Sequence, residues 1–265
     1  MPHLYKCRLN FNRRKMIKSF QKKIDTLDIS IFSGVPSQTT DADRRSLLAV
    51  QRAVAASHSS YAYLEIGSHL GGTIQPYLAD PRCGRIFSLD PRPVAQPDDR
   101  RPGHIARYEN NSSQRMLEML AGAGLGDVGR ITCIEIDSSQ VAPEKIAPAP
   151  AIAFIDGEHT ARAVVADFSF CRQVLRSDGV VVFHDFSILY RPLFAMLRSW
   201  RRQKLPWTVV MLPDNLLAVF FDPAIPVADP WLAVMQRRTS RNLLLFRLTA
   251  LAKSLKRKFL KAPAR

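Results

Sequence analysis

The chain has 265 residues, 46% of them hydrophobic, and a formal net charge of +15. That length can bury one sizeable core with an appendage, and the apolar content excludes a wholly disordered chain. No continuous apolar run reaches the roughly 18 residues a spanning helix needs. Met1–Phe20 is basic without an apolar stretch and does not read as a secretory signal. Cys7, Cys83, Cys133 and Cys171 form no CxxC pair and no metal spacing. Cys133 and Cys171 sit in apolar runs, where a thiol acts as a small hydrophobe. A reducing cytoplasmic setting is expected.

The charge is unevenly placed. Residues 1–24 hold eight Lys/Arg and no acid, and residues 231–265 hold ten and no acid. The middle carries 20 basic and 23 acidic groups and is nearly neutral. Charge of this kind bears on partners rather than on fold.

In chain order, residues 1–24 form a basic arm and 25–40 a loop. Thr40 or Asp41 caps a helix to about Ala56, with Leu47, Leu48, Val50 and Val54 on its apolar side. Strands are predicted at Ala62–Ile66, Arg85–Leu89, Ile131–Ile136, Ala151–Ile155 and Val180–Phe183. Helices are predicted at Ser113–Ala121, closed by Gly122 and Gly124, at Thr160–Leu175 and at Ile188–Arg202. Trp207–Leu212 and Leu216–Phe221 read as a terminal hairpin turned at Pro213-Asp214-Asn215. The expected class is α/β. It has a doubly wound, mostly parallel sheet of seven strands with an antiparallel terminal hairpin, and helical extensions at both ends. The expected division is 1–40 for the arm and loop, 41–223 for the sheet domain and 224–265 for a basic amphipathic tail.

The first strand runs into Glu65-Ile66-Gly67-Ser68-His69-Leu70-Gly71-Gly72-Thr73. Gly67 permits a tight turn, and Gly71 and Gly72 let a backbone approach a ligand. The spacing is E-x-G-x-x-x-G rather than G-x-G-x-x-G, which argues against a pyrophosphate dinucleotide. Glu65 suits a cationic ligand group, and Asp90, ending the second strand, suits two ribose hydroxyls. Asp137-Ser138 is either a contact near an adenine or an N-cap. The fourth strand ends in Asp156-Gly157-Glu158-His159 and the fifth in His184-Asp185. These ends face one crevice, where Asp156 and Asp185 can hold magnesium or manganese, or His184 or His159 can act as a general base beside Asp156. Against this, Asp156 and His159 could simply cap the next helix.

Residues 61–186 resemble a class I methyltransferase domain. Ala153–Asp185 is similar to the branch near macrolide and sugar O-methyltransferases and cephalosporin-hydroxylase-like proteins, whose pattern runs I-D-G-x-H, an Asp in the helix, L-x-P-G-G and H-D. The resemblance implies a Rossmann-like sheet and S-adenosylmethionine held by Glu65, Gly67, Gly71 and Asp90, with Ser68 of the same turn and Asp137 and Ser138 as further candidate contacts. It also implies that Asp156 and Asp185 face a metal or the acceptor. Two departures stand out: Ser177-Asp178-Gly179 replaces P-G-G, and Phe186 replaces the Asn or Asp that catechol-type relatives place after the second acid. The expected activity is methylation of oxygen on a small molecule or glycan. The alternatives are a metal-dependent hydroxylase-like enzyme and a non-catalytic binding protein.

At the C-terminus Leu244, Leu248, Leu251, Leu255 and Phe259 recur at helical spacing among Arg247, Lys253, Lys256, Arg257, Lys258 and Lys261. Such a helix suits an anionic membrane surface at the inner face of a membrane, packing on its own domain, or a second subunit. Arg191, Arg198, Arg201, Arg202 and Lys204 add a basic face. No nucleic-acid module or aromatic interleaving accompanies these charges, so nucleic acid is not an expected partner.

Overall fold

The computed structural model describes residues 19–260. The basic arm over residues 1–18, with Cys7, lies outside them, as do Lys261 and the side chains of Lys253, Leu255, Lys256, Arg257, Lys258 and Phe259.

Seven strands form one sheet: β1 (Tyr61–Ile66), β2 (Cys83–Leu89), β5 (Ile131–Ile134), β6 (Ile152–Ile155), β7 (Val180–Phe183), β8 (Thr208–Met211) and β9 (Leu217–Phe220). Their order is β5-β2-β1-β6-β7-β9-β8, with β9 antiparallel to both β7 and β8 and the other pairs parallel. β1, β6, β7 and β9 are buried along their whole length, as expected where helices cover both faces. The expected architecture is the observed one. β5 stops two residues short of the predicted Ile136, which is exposed, and β2 begins two residues early, at Cys83.

Helices α1 (Asp41–Ser57), α2 (Gln75–Ala79), α3 (Ser113–Gly122), α4 (Ala161–Val174), α5 (Phe186–Arg202), α6 (Ala224–Ala228) and α7 (Pro230–Leu260) complete the fold. Thr40 caps α1 in a reciprocal capping box. It accepts from the Asp43 amide, and Asp43 accepts from the Thr40 amide. One core cluster joins Leu47, Leu48 and Val50 of α1 to Tyr63 and Tyr77, and the other joins Val164, Phe168 and Cys171 of α4 to Leu189 and Leu193 of α5. α7 enters the second cluster through Leu243 and the first through Leu232, while Thr239 accepts the Met211 amide hydrogen of the edge strand. Among the described residues no helix is long and apolar enough to cross a membrane.

Among the elements that were not foreseen, three shape the surroundings of the site. α2 is one short turn. A small hairpin pairs β3 (Ala95–Asp98) with β4 (His104–Arg107). The loop before α1 carries a 3-10 turn at Ile29–Phe32 and is clamped by the buried Gln75. Its Oε1 accepts from the Gly34 and Val35 amides, and its Nε2 donates toward the Phe32, Val35 and Gly72 carbonyls.

Candidate active site

A cavity of about 640 Å³ opens beyond the carboxyl ends of β1, β2, β6 and β7. This is where ligands of doubly wound sheets bind. One wall is the glycine turn. Gly67 has φ +86°, and a Cβ there would lie 2.2 Å from the Asp156 carbonyl oxygen, so only glycine fits. Ser68 lines the cavity, and its buried Oγ has no hydrogen-bond partner among the described residues. An orphaned buried hydroxyl of this kind fits a polar ligand in the turn.

Two residues of the turn do not sit where the sequence pointed. The Glu65 carboxyl is buried behind the turn, accepting from Thr73 Oγ1 and, at 2.6 Å, from Tyr63 Oη. Burial pushes its pKa up to about 8 against the pull of those two bonds. It supports the turn from below and does not line the cavity. Gly71 is also outside the lining: its missing Cβ would meet Leu120 and Met116 of α3 at 2.8 and 2.9 Å. Gly72 does line the cavity, and a Cβ there would meet Pro36 and Ser37. Gly71 thus admits neighbouring protein rather than ligand.

Asp90 lines the cavity at the end of β2. Its Oδ2 accepts from the His69 amide at 2.9 Å and its Oδ1 from the Arg92 amide at 2.8 Å, with the Arg92 guanidinium 3.3 Å away. His69 and Arg92 both adopt left-handed backbone, at φ +44° and +58°, which turns their amides onto the carboxylate. Asp137 and Ser138 also line the cavity. Asp137 caps a 3-10 turn through the Ser139 amide, and Ser138 Oγ donates to Asp167 at 2.6 Å. Burial raises the Asp167 carboxyl to about 6, with the Ser138 bond opposing.

The opposite wall holds the acid–imidazole cluster. Thr160, not Asp156 or His159, caps α4. His159 lies 3.1 Å from Asp98, 3.4 Å from Asp156 and 3.2 Å from Asp185. His184 Nδ1 lies 2.9 Å from Asp156 and its Nε2 3.6 Å from Asp43, at ion-pair distance but without hydrogen-bond alignment. Asp185, in left-handed backbone at φ +49°, is the N-cap residue between β7 and α5, paired with Arg100 at 3.2 Å and bonded to Asn215. Asp43, Asp98 and Arg100 are members the sequence did not single out. They arrive from α1 and from the small hairpin, whose Asp98 and Asp99 are bridged to the His159 and Ala161 backbone.

This cluster balances itself. Burial opposes charge on His184, but Asp156, Asp43 and Asp185 outweigh it and push its pKa up to about 11. His159 is raised for the same reason, burial again opposing. Burial would lift Asp156, yet the two imidazoles hold it down at about 2. The repulsion expected between Asp156 and Asp185 is therefore relieved by protonated imidazoles and Arg100. A proton held on His184 by these acids works against the general-base role expected of it. Asp156, His159, His184 and Asp185 nevertheless offer four ligand atoms within 4.8 Å of one another, a number and reach that fit a divalent cation.

A family profile described as a methyltransferase domain matches residues 64–186. No curated protein matches the chain. Among solved structures, the calicheamicin methyltransferase CalS11 aligns with a TM-score of 0.52 at 17% identity, over 78% of this chain and 91% of its own. The O-methyltransferase NovP aligns with a TM-score of 0.51 at 14% identity, over 65% of this chain and 78% of its own. At these identities the likeness speaks for the fold. With the profile match, residues 64–186 are a methyltransferase domain, built on the fold that the two solved methyltransferases share.

Proposed function

We propose that the chain methylates a hydroxyl oxygen of a small-molecule or glycan acceptor. The observation that carries this reading is a single cavity with the Gly67–Ser68 turn and Asp90 on one side and the Asp156 cluster on the other. S-adenosylmethionine supplies the methyl group as an electrophile already activated by its sulfonium. The protein's share is to hold two molecules in line, exclude water and accept one proton.

Gly67 and Ser68 take the amino-acid end of the cofactor, Asp90 its ribose hydroxyls, and Asp137 and Ser138 its adenine side. Glu65 acts through the turn it braces. On the acceptor side, Asp156 is the cluster carboxylate most open to the cavity, its side chain 22% exposed. It accepts a hydrogen bond from the acceptor hydroxyl. As the O–C bond forms and the C–S bond breaks, the hydroxyl proton passes to Asp156. A protonated ether is a far stronger acid than a carboxylic acid, so a carboxylate held near pKa 2 suffices. His184 and His159 keep that carboxylate ionised and aimed.

A second reading rests on the four convergent donors. Asp156, Asp185, His159 and His184 would hold a divalent metal, which would fix the acceptor oxygen and lower its pKa. Two imidazoles among four donors suit manganese better than magnesium. Binding would have to displace the imidazole protons and compete with Arg100 for Asp185. Calorimetry with S-adenosylhomocysteine tests the shared core of both readings, and absence of binding to the intact chain would sink them. Methyl transfer to a hydroxyl panel, with and without a chelator, separates them.

A further inference from the structure

α5 and α7 lie against each other along a seam in which Phe246 packs on Phe186 and Tyr190, ring centroids 4.8 and 5.5 Å apart. A second cavity of about 220 Å³ opens between them. Phe194, Leu197 and Leu243 floor it, and Arg198, Arg201 and Arg247 ring it. Beside it, Leu244, Leu245, Leu248 and Leu251 are 57, 53, 55 and 58% exposed. At about 100° per residue, these four leucines span only about 120° of α7; the exposed Arg247 stands about 40° outside that arc, and the exposed Arg241 falls within it at the N-terminal end of the stripe. An apolar stripe of this size on a helix face marks an interaction surface.

The charge around the stripe has one sign. Residues 186–212 contain five Lys/Arg and no acid, and residues 230–265 contain ten and no acid. We propose that the α5–α7 face docks on an anionic lipid bilayer, with Leu244, Leu245, Leu248 and Leu251 entering below the headgroups. Arg198, Arg201, Arg241 and Arg247 meet the lipid phosphates. Arginine suits both parts, because its stem lies along apolar surface while its guanidinium stays at the polar boundary. α7 lies on the membrane rather than across it, since its described part holds no spanning window.

Charge complementarity selects this occupant. A second copy would bring two acid-free faces together, at a repulsive cost. Nucleic acid would satisfy the arginines but give four exposed leucines nothing to bury against. A bilayer with anionic headgroups satisfies both.

The test is co-sedimentation of the full chain with vesicles of phosphatidylcholine alone and of phosphatidylcholine with about one-third phosphatidylglycerol. We expect at least tenfold more protein on the anionic vesicles. The bound fraction should fall at least fivefold in L245S/L248S/L251S and in R198Q/R201Q/R247Q. All these residues except Arg198 and Arg201 lie on α7, all are exposed, and none lines the methyltransferase cavity, so the melting temperature and S-adenosylhomocysteine affinity should stay put. Equal binding to neutral vesicles, or no binding to anionic ones, would overturn the proposal. So would vesicle binding indifferent to the leucine changes, a dimer in sedimentation velocity that dissolves in the leucine variant, or tighter binding to a DNA duplex than to the vesicles. None of these outcomes depends on whether methyl transfer is detected.

Discussion

Gly67 and Asp156 are in backbone contact: the space where a side chain at 67 would begin is filled by the Asp156 carbonyl, 2.2 Å from the Cβ position. The glycine turn and the DGEH segment are thus one packed unit, although 89 positions separate them. Gly67→Ala combines a left-handed backbone penalty with a backbone clash. We expect it to cost about 2–4 kcal/mol of stability and to abolish S-adenosylhomocysteine binding. Gly122→Ala is the control, because a Cβ there meets nothing within 4 Å and the backbone is helical. That variant should be neutral or more stable by up to about 1 kcal/mol, as thermal melts will read.

Asp90 and Glu65 should separate by calorimetry. Asp90→Asn removes a charged acceptor at the cavity wall and should weaken S-adenosylhomocysteine about 10–100-fold, in line with a hydrogen bond to a charged group. Glu65→Gln keeps an acceptor behind the turn and should change affinity less than about threefold. An equal loss in both would show that Glu65 reaches the ligand after all.

The proton balance of His184 has a definite sign. Its folded-state pKa is pushed up to about 11 from an ordinary imidazole value of 6.5. Its contribution to stability is therefore full below pH 6.5 and is lost as pH rises through 11. Melts between pH 7 and 10 should show the wild type losing stability faster than His184→Gln. Asp156→Asn removes the nearest counter-charge and should flatten the curve too, while lowering methyl transfer by about 10²–10⁴-fold.

Asp167 titrates in the opposite setting, a carboxyl raised from 3.8 to about 6 by burial. The raised pKa favours the folded state at low pH, and that advantage disappears as pH climbs through 6. Asp167→Asn can still accept the Ser138 bond. It should match the wild type below pH 4 and exceed it by up to about 3 kcal/mol at pH 8.

Dialysis against a chelator should leave methyl transfer within about twofold, because protonated His159 and His184 with Arg100 already neutralise Asp156 and Asp185. A loss of more than tenfold that manganese restores would favour the metal-bound form of the cluster.

The sheet was legible because its strands are buried runs. Ile152–Ile155 and Val180–Phe183 carry apolar residues continuously, and Thr40 announces its helix as a side-chain cap. The β3–β4 hairpin was not legible, since Ala95–Asp98 contains Gln96, Pro97 and Asp98 and has neither alternation nor β propensity. That gap hid Asp98 and Arg100, and Asp43 stands in the first turn of a helix that nothing in the sequence ties to the crevice. Gly71 misled for another reason. A glycine's spacing says that something comes close, but not from which side, and here α3 comes close rather than a ligand. His184 was rightly placed at the crevice, but its charge depends on Asp43 and Asp156, which converge only in three dimensions.

Gln75 carries one last consequence. Its amide meets two backbone N–H groups with its oxygen and turns its nitrogen toward three carbonyls, so both ends of the side chain are committed at once. No other side chain of that length offers donors and an acceptor in that order: glutamate has no hydrogen to give the carbonyls, and lysine has no lone pair for the amides. The segment that supplies Pro36, Ser37 and Gln38 to the cavity rim is therefore fastened by a lock with a single key. Replacing that one amide would loosen the roof of the site while leaving the residues of both cavity walls unchanged.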